Sequence, residues 1–184
     1  PYVDEEVSEI SEILSGENFI GFSATENSFK NNASDYDIVH LAMHTIINDE
    51  SPMFSKLVFT LNQDSIEDGF LNTYELYNLE LNGNLVVLSA CNTGFGKLEK
   101  GEGVMSLARA FMYSGIPSII MTLWTVEDQP GYKLMTSFYQ GLNLGKPLDV
   151  ALNEAKKDYL KNSSKITSHP YFWSGFVVVG DGSP

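Results

Sequence analysis

Leu85-Val86-Val87-Leu88-Ser89-Ala90-Cys91-Asn92-Thr93-Gly94 is the stretch on which the fold turns. Leu85 to Leu88 is uninterrupted and apolar, with no polar position to face water. A short run of this kind is a strand buried on both faces, and it calls for helices packed above and below it. The strand feeds straight into a loop that carries the chain's one cysteine, Cys91, and two glycines, Gly94 and Gly96.

The same alternation continues outward on both sides. Towards the C-terminus, a helix is expected from about Gly103 to Tyr113, closed by Ser114-Gly115, and then a buried strand from Ser118 to Leu123. Pro130 suits a helix start, with Leu134, Phe138 and Leu142 as its core stripe. Another helix covers Pro147 to Leu160, and Phe176 to Val179 is a last strand. Towards the N-terminus, Val3, Val7, Ile10, Ile13 and Leu14 form one helical stripe, with Gly16 as its stop signal. Asn18 to Phe22 is a short strand, and Thr25 caps a short helix through Phe29 to Ala33. Tyr36 to Met43 is a buried strand, followed by a second apolar run, Lys56 to Leu61. Residues 62–70 are polar and turn at Asp68-Gly69, and Thr73 to Asn78 is a short helix capped by Asn72 or Thr73. Strands alternating with helices predict an α/β fold, a three-layer α/β/α sandwich on a mostly parallel central sheet. The whole of 1–184 is expected to be one domain.

Composition narrows the partners. The 184 residues hold 24 acids against 11 Lys and Arg, a net charge of −13, so a phosphate backbone or an acidic membrane surface is repelled. The expected partners therefore include no nucleic acid and no membrane. No run reaches the 18 or so apolar residues of a membrane helix, and no secretory signal opens the chain. One free thiol fits a reducing compartment, which points to the cytoplasm.

In a parallel α/β sheet, ligands bind at the carboxyl ends of the strands. Three strands end near residues with chemistry to offer: the strand through Val39 leads to His44, Leu85–Ser89 leads to Cys91, and Ile119–Leu123 leads to Asp128. A thiol becomes a nucleophile when a base takes its proton, so Cys91 and His44 from neighbouring loops make a hydrolase pair. The glycines beside Cys91 leave backbone N–H groups free to face an oxyanion. Each residue also has a plainer explanation: a small core thiol, a loop histidine, a solvated acid. His40 and His44 have the i, i+4 spacing of a zinc pair on a helix, but this segment is strand-like and lacks further ligands, so no metal and no cofactor are expected. There is no G-x-S-x-G elbow and no P-loop lysine, since Glu102 follows Gly101.

Five segments together resemble the CHAT domain, the caspase-like domain associated with tetratricopeptide repeats. They are His40-Leu41-Ala42-Met43-His44, Leu88-Ser89-Ala90-Cys91-Asn92-Thr93, Gly101-Glu102-Gly103-Val104 with Leu107-Ala108-Arg109-Ala110-Phe111, Leu123-Trp124-Thr125-Val126-Glu127-Asp128, and His169-Pro170-Tyr171-Phe172-Trp173. They keep the family's order across nearly the whole chain, and they are also similar to the protease domain of separase. The resemblance implies a caspase-like cysteine endopeptidase acting on a protein or peptide substrate. Cys91 would be the nucleophile and His44 the general base and acid, with the oxyanion held by the backbone N–H groups of Thr45 and Cys91. Thr45 stands where the family commonly has Gly. Asp128 would line the pocket for a basic residue before the scissile bond. The resemblance also implies a C-terminal piece of a longer protein with upstream tetratricopeptide repeats. The alternative is a non-catalytic or latent interaction module on the same fold.

Overall fold

The computed structural model describes residues 2–61, 67–89 and 102–182. Its central sheet has four strands in the order β1 (Ile38–Leu41), β5 (Leu85–Leu88), β6 (Ser118–Thr122), β7 (Phe176–Gly180). β1, β5 and β6 run parallel, whereas β7 is antiparallel to β6. Successive side chains alternate between the two faces. Leu85 and Val87 pack with α1 (Val3–Leu14), α5 (Asp128–Asn143) and α6 (Leu148–Asn162). Val86 and Leu88 pack on the opposite side with α2 (Glu26–Asn32), α3 (Thr73–Leu76) and α4 (Glu102–Tyr113). These are the three expected layers. Val86 and Val87 are 0% exposed, each worth about 2 kcal/mol of burial. Among the described residues, no helix is long and apolar enough to cross a membrane.

A second, antiparallel sheet was not anticipated. β2 (His44–Ile46), β3 (Lys56–Val58) and β4 (Phe70–Asn72) pair in that order, and Leu57 and Leu71 seal it onto the core beside α2 to α4. The expected Tyr36–Met43 strand therefore stops at Leu41, because the chain turns there and starts β2 at His44. The Lys56–Leu61 run is shorter too, and joins this sheet rather than the central one. The Asp68-Gly69 turn forms: Gly69 has φ +77°, and the Phe70 N–H donates to Asp68 Oδ1 at 2.9 Å.

Local caps act largely as the sequence implies. Thr25 Oγ1 accepts from the Ser28 N–H at 3.1 Å at the start of α2. Asn72 caps α3, and Glu75 Oε2 accepts from the Asn72 N–H at 2.9 Å. At the end of α1 the left-handed residue is Ser15 rather than Gly16. Asn18–Phe22 is not a strand. Gly21 takes φ +58° and Ser23 bonds back to Ile20, its Oγ accepting from the Ile20 N–H at 2.9 Å. A strand needs a partner ladder, and among the described residues none lies beside this segment; a tight local turn satisfies its backbone instead.

Candidate active site

β1 and β5 end level, Leu41 beside Leu88, and β6 continues past the same edge into Leu123 and Trp124. His44 and Cys91 each stand three residues beyond these paired ends. Cys91 and its glycines, Gly94 and Gly96, lie outside the described residues. His44 opens β2 and is exposed; among the described residues its ring has no hydrogen-bond partner. Strand alternation turns the next side chain, Thr45, inward, where it is 5% exposed. Ser15 is the only described non-glycine residue with positive φ. Thr45 thus holds ordinary extended backbone, which its branched side chain favours.

The loop that follows β2 is fastened to α4, the helix that follows the cysteine loop. The Gly103 N–H donates to Asp49 Oδ1 at 3.0 Å, a carboxylate set against the positive end of the helix. The Asn48 N–H donates to Ser55 Oγ at 3.0 Å, and Thr73 Oγ1 donates to the Ser55 carbonyl at 2.9 Å. A Cβ on Gly103 would lie 2.4 Å from Ile47 Cγ2 and 2.7 Å from Ser55 Oγ. Only glycine allows this closeness. That is the physical content of the Gly101-Glu102-Gly103 segment, whose first residue is outside the described part.

Trp124 closes the other side. Its Nε1–H donates to the Tyr171 carbonyl at 2.9 Å, and its ring lies so close over Gly175 that a Cβ there would come within 2.9 Å. The Tyr171 N–H in turn donates to His169 Nδ1 at 3.3 Å. A narrow, mainly apolar cleft runs between Thr45 and Trp124, floored by Leu88, Leu107, Met121 and Thr122. Asp128 is the first residue of α5 and half-buried, but it is not among the residues lining this cleft. A carboxylate in a first helical turn is also favoured by the helix dipole. The cleft's two walls were each visible in sequence only as parts of motifs. Their approach depends on a contact between β2 and the loop after β6, far apart in the chain.

His40 belongs elsewhere. It faces the α1–α5 layer, with Nε2 3.0 Å from Glu6 Oε1 and Nδ1 3.0 Å from the Tyr139 hydroxyl. Glu6 is 4% and Tyr139 0% exposed. Burial, and then the nearby Glu6 charge, push the Tyr139 hydroxyl well above the usual tyrosine range. It therefore keeps its proton and can donate to Nδ1, while the Nε2–H donates to Glu6. Both ring nitrogens are used. His40 and His44 sit on different strands, one largely buried and one exposed.

The described residues hold one carboxylate group with cation-site spacing: Glu26, Glu67 and Glu75. Lys30 already occupies its centre, 2.7, 2.9 and 3.3 Å from the three carboxylates. Burial alone would lower the Lys30 pKa, but the three acids outweigh it and hold the ammonium above the usual lysine range. Burial raises Glu26 despite Lys30. This cluster is an ion-pair network joining α2 to α3, with Lys30 as its shared cation.

A family model described as the CHAT domain matches residues 1–181. Tetratricopeptide repeat protein 28 of Homo sapiens is 29% identical over 211 residues, covering 98% of this chain and 8% of that protein. Its counterpart in Mus musculus is 28% identical with the same coverage. The chain thus spans less than a tenth of the curated relatives it matches. Among solved structures, the Arg-specific cysteine proteinase gingipain R superposes with a TM-score of 0.63 at 12% identity, over 98% of this chain and 42% of that one. At that identity the likeness is one of fold, the caspase-like α/β sandwich.

Proposed function

This chain belongs to the CHAT domain family, and on that premise we propose that it is the cysteine endopeptidase domain of a longer, repeat-containing protein. The observation that supports the proposal is the level ending of β1 and β5, beyond which His44 and Cys91 each follow three residues later in the sequence. Proteolysis needs these two groups together, a soft nucleophile and an imidazole to take and return a proton.

In the proposed cycle, His44 accepts the Cys91 proton and the thiolate attacks the scissile carbonyl. The Thr45 and Cys91 N–H groups receive the negative charge on oxygen. The C–N bond breaks as His44 returns the proton to the leaving amine. Water, deprotonated by His44, then cleaves the thioester and restores the thiol. One oxyanion donor is worth about 3 kcal/mol of barrier, so Thr45 bears on rate even though its side chain points into the core. Asp128 would favour a basic side chain before the scissile bond, by a bidentate pair if that residue is Arg.

The test is covalent labelling by peptide acyloxymethyl ketones ending in Arg or in Leu, with Cys91→Ala as the control. Labelling of the wild type alone, faster with Arg, is the expected result. Equal labelling of both proteins would sink the peptidase proposal, and loss of the Arg preference alone would sink the role of Asp128. A second proposal is an interaction module on the same fold. It is favoured by Thr45, which stands at the glycine position and is packed into β2 as part of a sheet. No labelling by either reagent, even with the upstream repeats restored, is the outcome that selects it.

A further inference from the structure

A groove of about 310 Å³ lies between α5 and α6 and shares no residue with the cleft between Thr45 and Trp124. The two helices are joined by residues 144–147 and so run antiparallel, as a helical hairpin. They approach closely at Gly141, where an added Cβ would lie 3.1 Å from the Ala151 Cβ. From there α6 turns Ala151, Ala155 and Tyr159 inward at every fourth residue, all three buried. The two methyl groups let the helices touch. The larger Tyr159 ring, its hydroxyl donating to the Thr167 carbonyl at 3.1 Å, holds them apart, and the groove is the wedge this leaves.

Its walls are polar where a docking helix would need apolar anchors. Lys133, Thr136, Ser137 and Gln140 line it from α5, and Asp158 and Asn162 from α6. Thr136 Oγ1 is shut off from solvent and has no hydrogen-bond partner among the described residues, although a helical threonine can donate to the carbonyl one turn back. Lys133 and Asp158 stand nearly level on the two walls. Counted from the Gly141–Ala151 contact, Lys133 lies about 12 Å back along α5 and Asp158 about 10 Å forward along α6, at about 1.5 Å per residue. Both are exposed and of opposite charge, yet among the described residues neither has an ion-pair partner. The gap between them is too wide for a direct pair.

A ligand that bridges such walls carries both signs. A phosphate or nucleotide would set its charge against Asp158, and a simple cation would meet Lys133. We propose that the groove is a binding site for a free α-amino acid with a polar side chain, its carboxylate on Lys133 and its ammonium on Asp158. Each contact is then a charge-assisted hydrogen bond. The volume lies at the small end of the range for ligand pockets and suits a molecule of this size. Thr136, Ser137 and Gln140 face the ligand's side chain. Among the described residues the Ser137 and Gln140 side chains make no hydrogen bond, and the orphaned Thr136 hydroxyl gains the partner it lacks.

The test is an NMR chemical-shift titration of this 184-residue chain with L-glutamine, N-acetyl-L-glutamine and L-glutamine methyl ester. It needs no catalysis, so its outcome is independent of the peptidase proposal. L-Glutamine should shift the amides of α5 and α6 that line the groove, with millimolar affinity. The acetyl derivative lacks the ammonium and the ester lacks the carboxylate, so each should bind at least about tenfold more weakly. Lys133→Met should erase only the difference between glutamine and its ester, and Asp158→Asn only that between glutamine and its acetyl derivative. Both positions are exposed, and neither variant should change the melting temperature. L-Leucine should bind more weakly than L-glutamine, and Thr136→Val should narrow that gap. No shift in α5 or α6 with L-glutamine overturns the proposal. Equal binding of the three compounds, or losses in the two variants that do not follow this pairing, overturn it as well.

Discussion

His40 and His44 are four residues apart and come from one stretch of sequence, yet the fold treats them as opposites. His40 faces inward, both nitrogens bonded, between a buried carboxylate and a fully buried tyrosine. His44 begins the next strand, exposed, with no hydrogen-bond partner among the described residues. A histidine whose lone pairs and protons are all engaged holds structure together. One left free at the carboxyl edge of a parallel sheet can act on something else. Residue type alone does not separate the two roles; the turn between Leu41 and His44 does.

The sharpest way to break this contrast is to remove each imidazole in turn. His44→Ala is expected to slow acyloxymethyl ketone labelling at least about a thousandfold, and to shift stability by less than about 0.5 kcal/mol. A large stability loss in this variant would make His44 structural. His40→Ala should cost about 3 kcal/mol in urea unfolding, because it strands the buried Glu6 carboxylate. Tyr139→Phe, which keeps the ring and removes one hydroxyl, should cost only about 1 kcal/mol. If His40→Ala unfolds no more easily than His44→Ala, the comparison fails.

A smaller effect tests what supports the exposed histidine. Gly103→Ala forces a methyl against Ile47 and Ser55 and should cost about 2 kcal/mol, with a further drop in labelling as the loop after β2 lifts from α4. A modest effect, on stability alone, is expected at the charge cluster away from the strand ends. Lys30→Met should destabilise by about 1–2 kcal/mol at pH 7, since Glu26, Glu67 and Glu75 lose their shared cation. Without it, the folded pKa of Glu26, which burial already raises, stands further above the unfolded carboxylate value near 4.3. An acid raised in the folded state takes away stability as pH climbs through that window, so the deficit should shrink below about pH 4. Unfolding at pH 3.5 and 7 measures it, and labelling should not change.

Much of the scaffold was legible before any coordinates. Helix stripes, buried strands and caps announce themselves locally, through periodicity and through single residues such as Thr25 and Asn72. The parts that were misjudged are non-local. Phe70-Leu71-Asn72 is too short to stand out as a strand, and exists because Leu57 and Leu71 find a core face together. Asn18–Phe22 has a strand's composition but lacks the neighbour that would make it one. In the candidate site, the residues at the strand ends could be picked out in sequence. The Asp49 cap on α4 and the seat of Trp124 against Gly175 could not, because each is a meeting of segments far apart in the chain.

The sequence by itself determined the layers and the chemistry on offer. Apolar strands alternating with amphipathic helices have few ways to bury themselves, and one cysteine leaves few choices of nucleophile. Only the tertiary structure decided which histidine is held and which is left exposed, and that Thr45 keeps an extended backbone. It alone shows that, among the described residues, the central sheet stops at β1. Each of these is set by register and by which elements end level, and register is a property of paired strands rather than of any one segment.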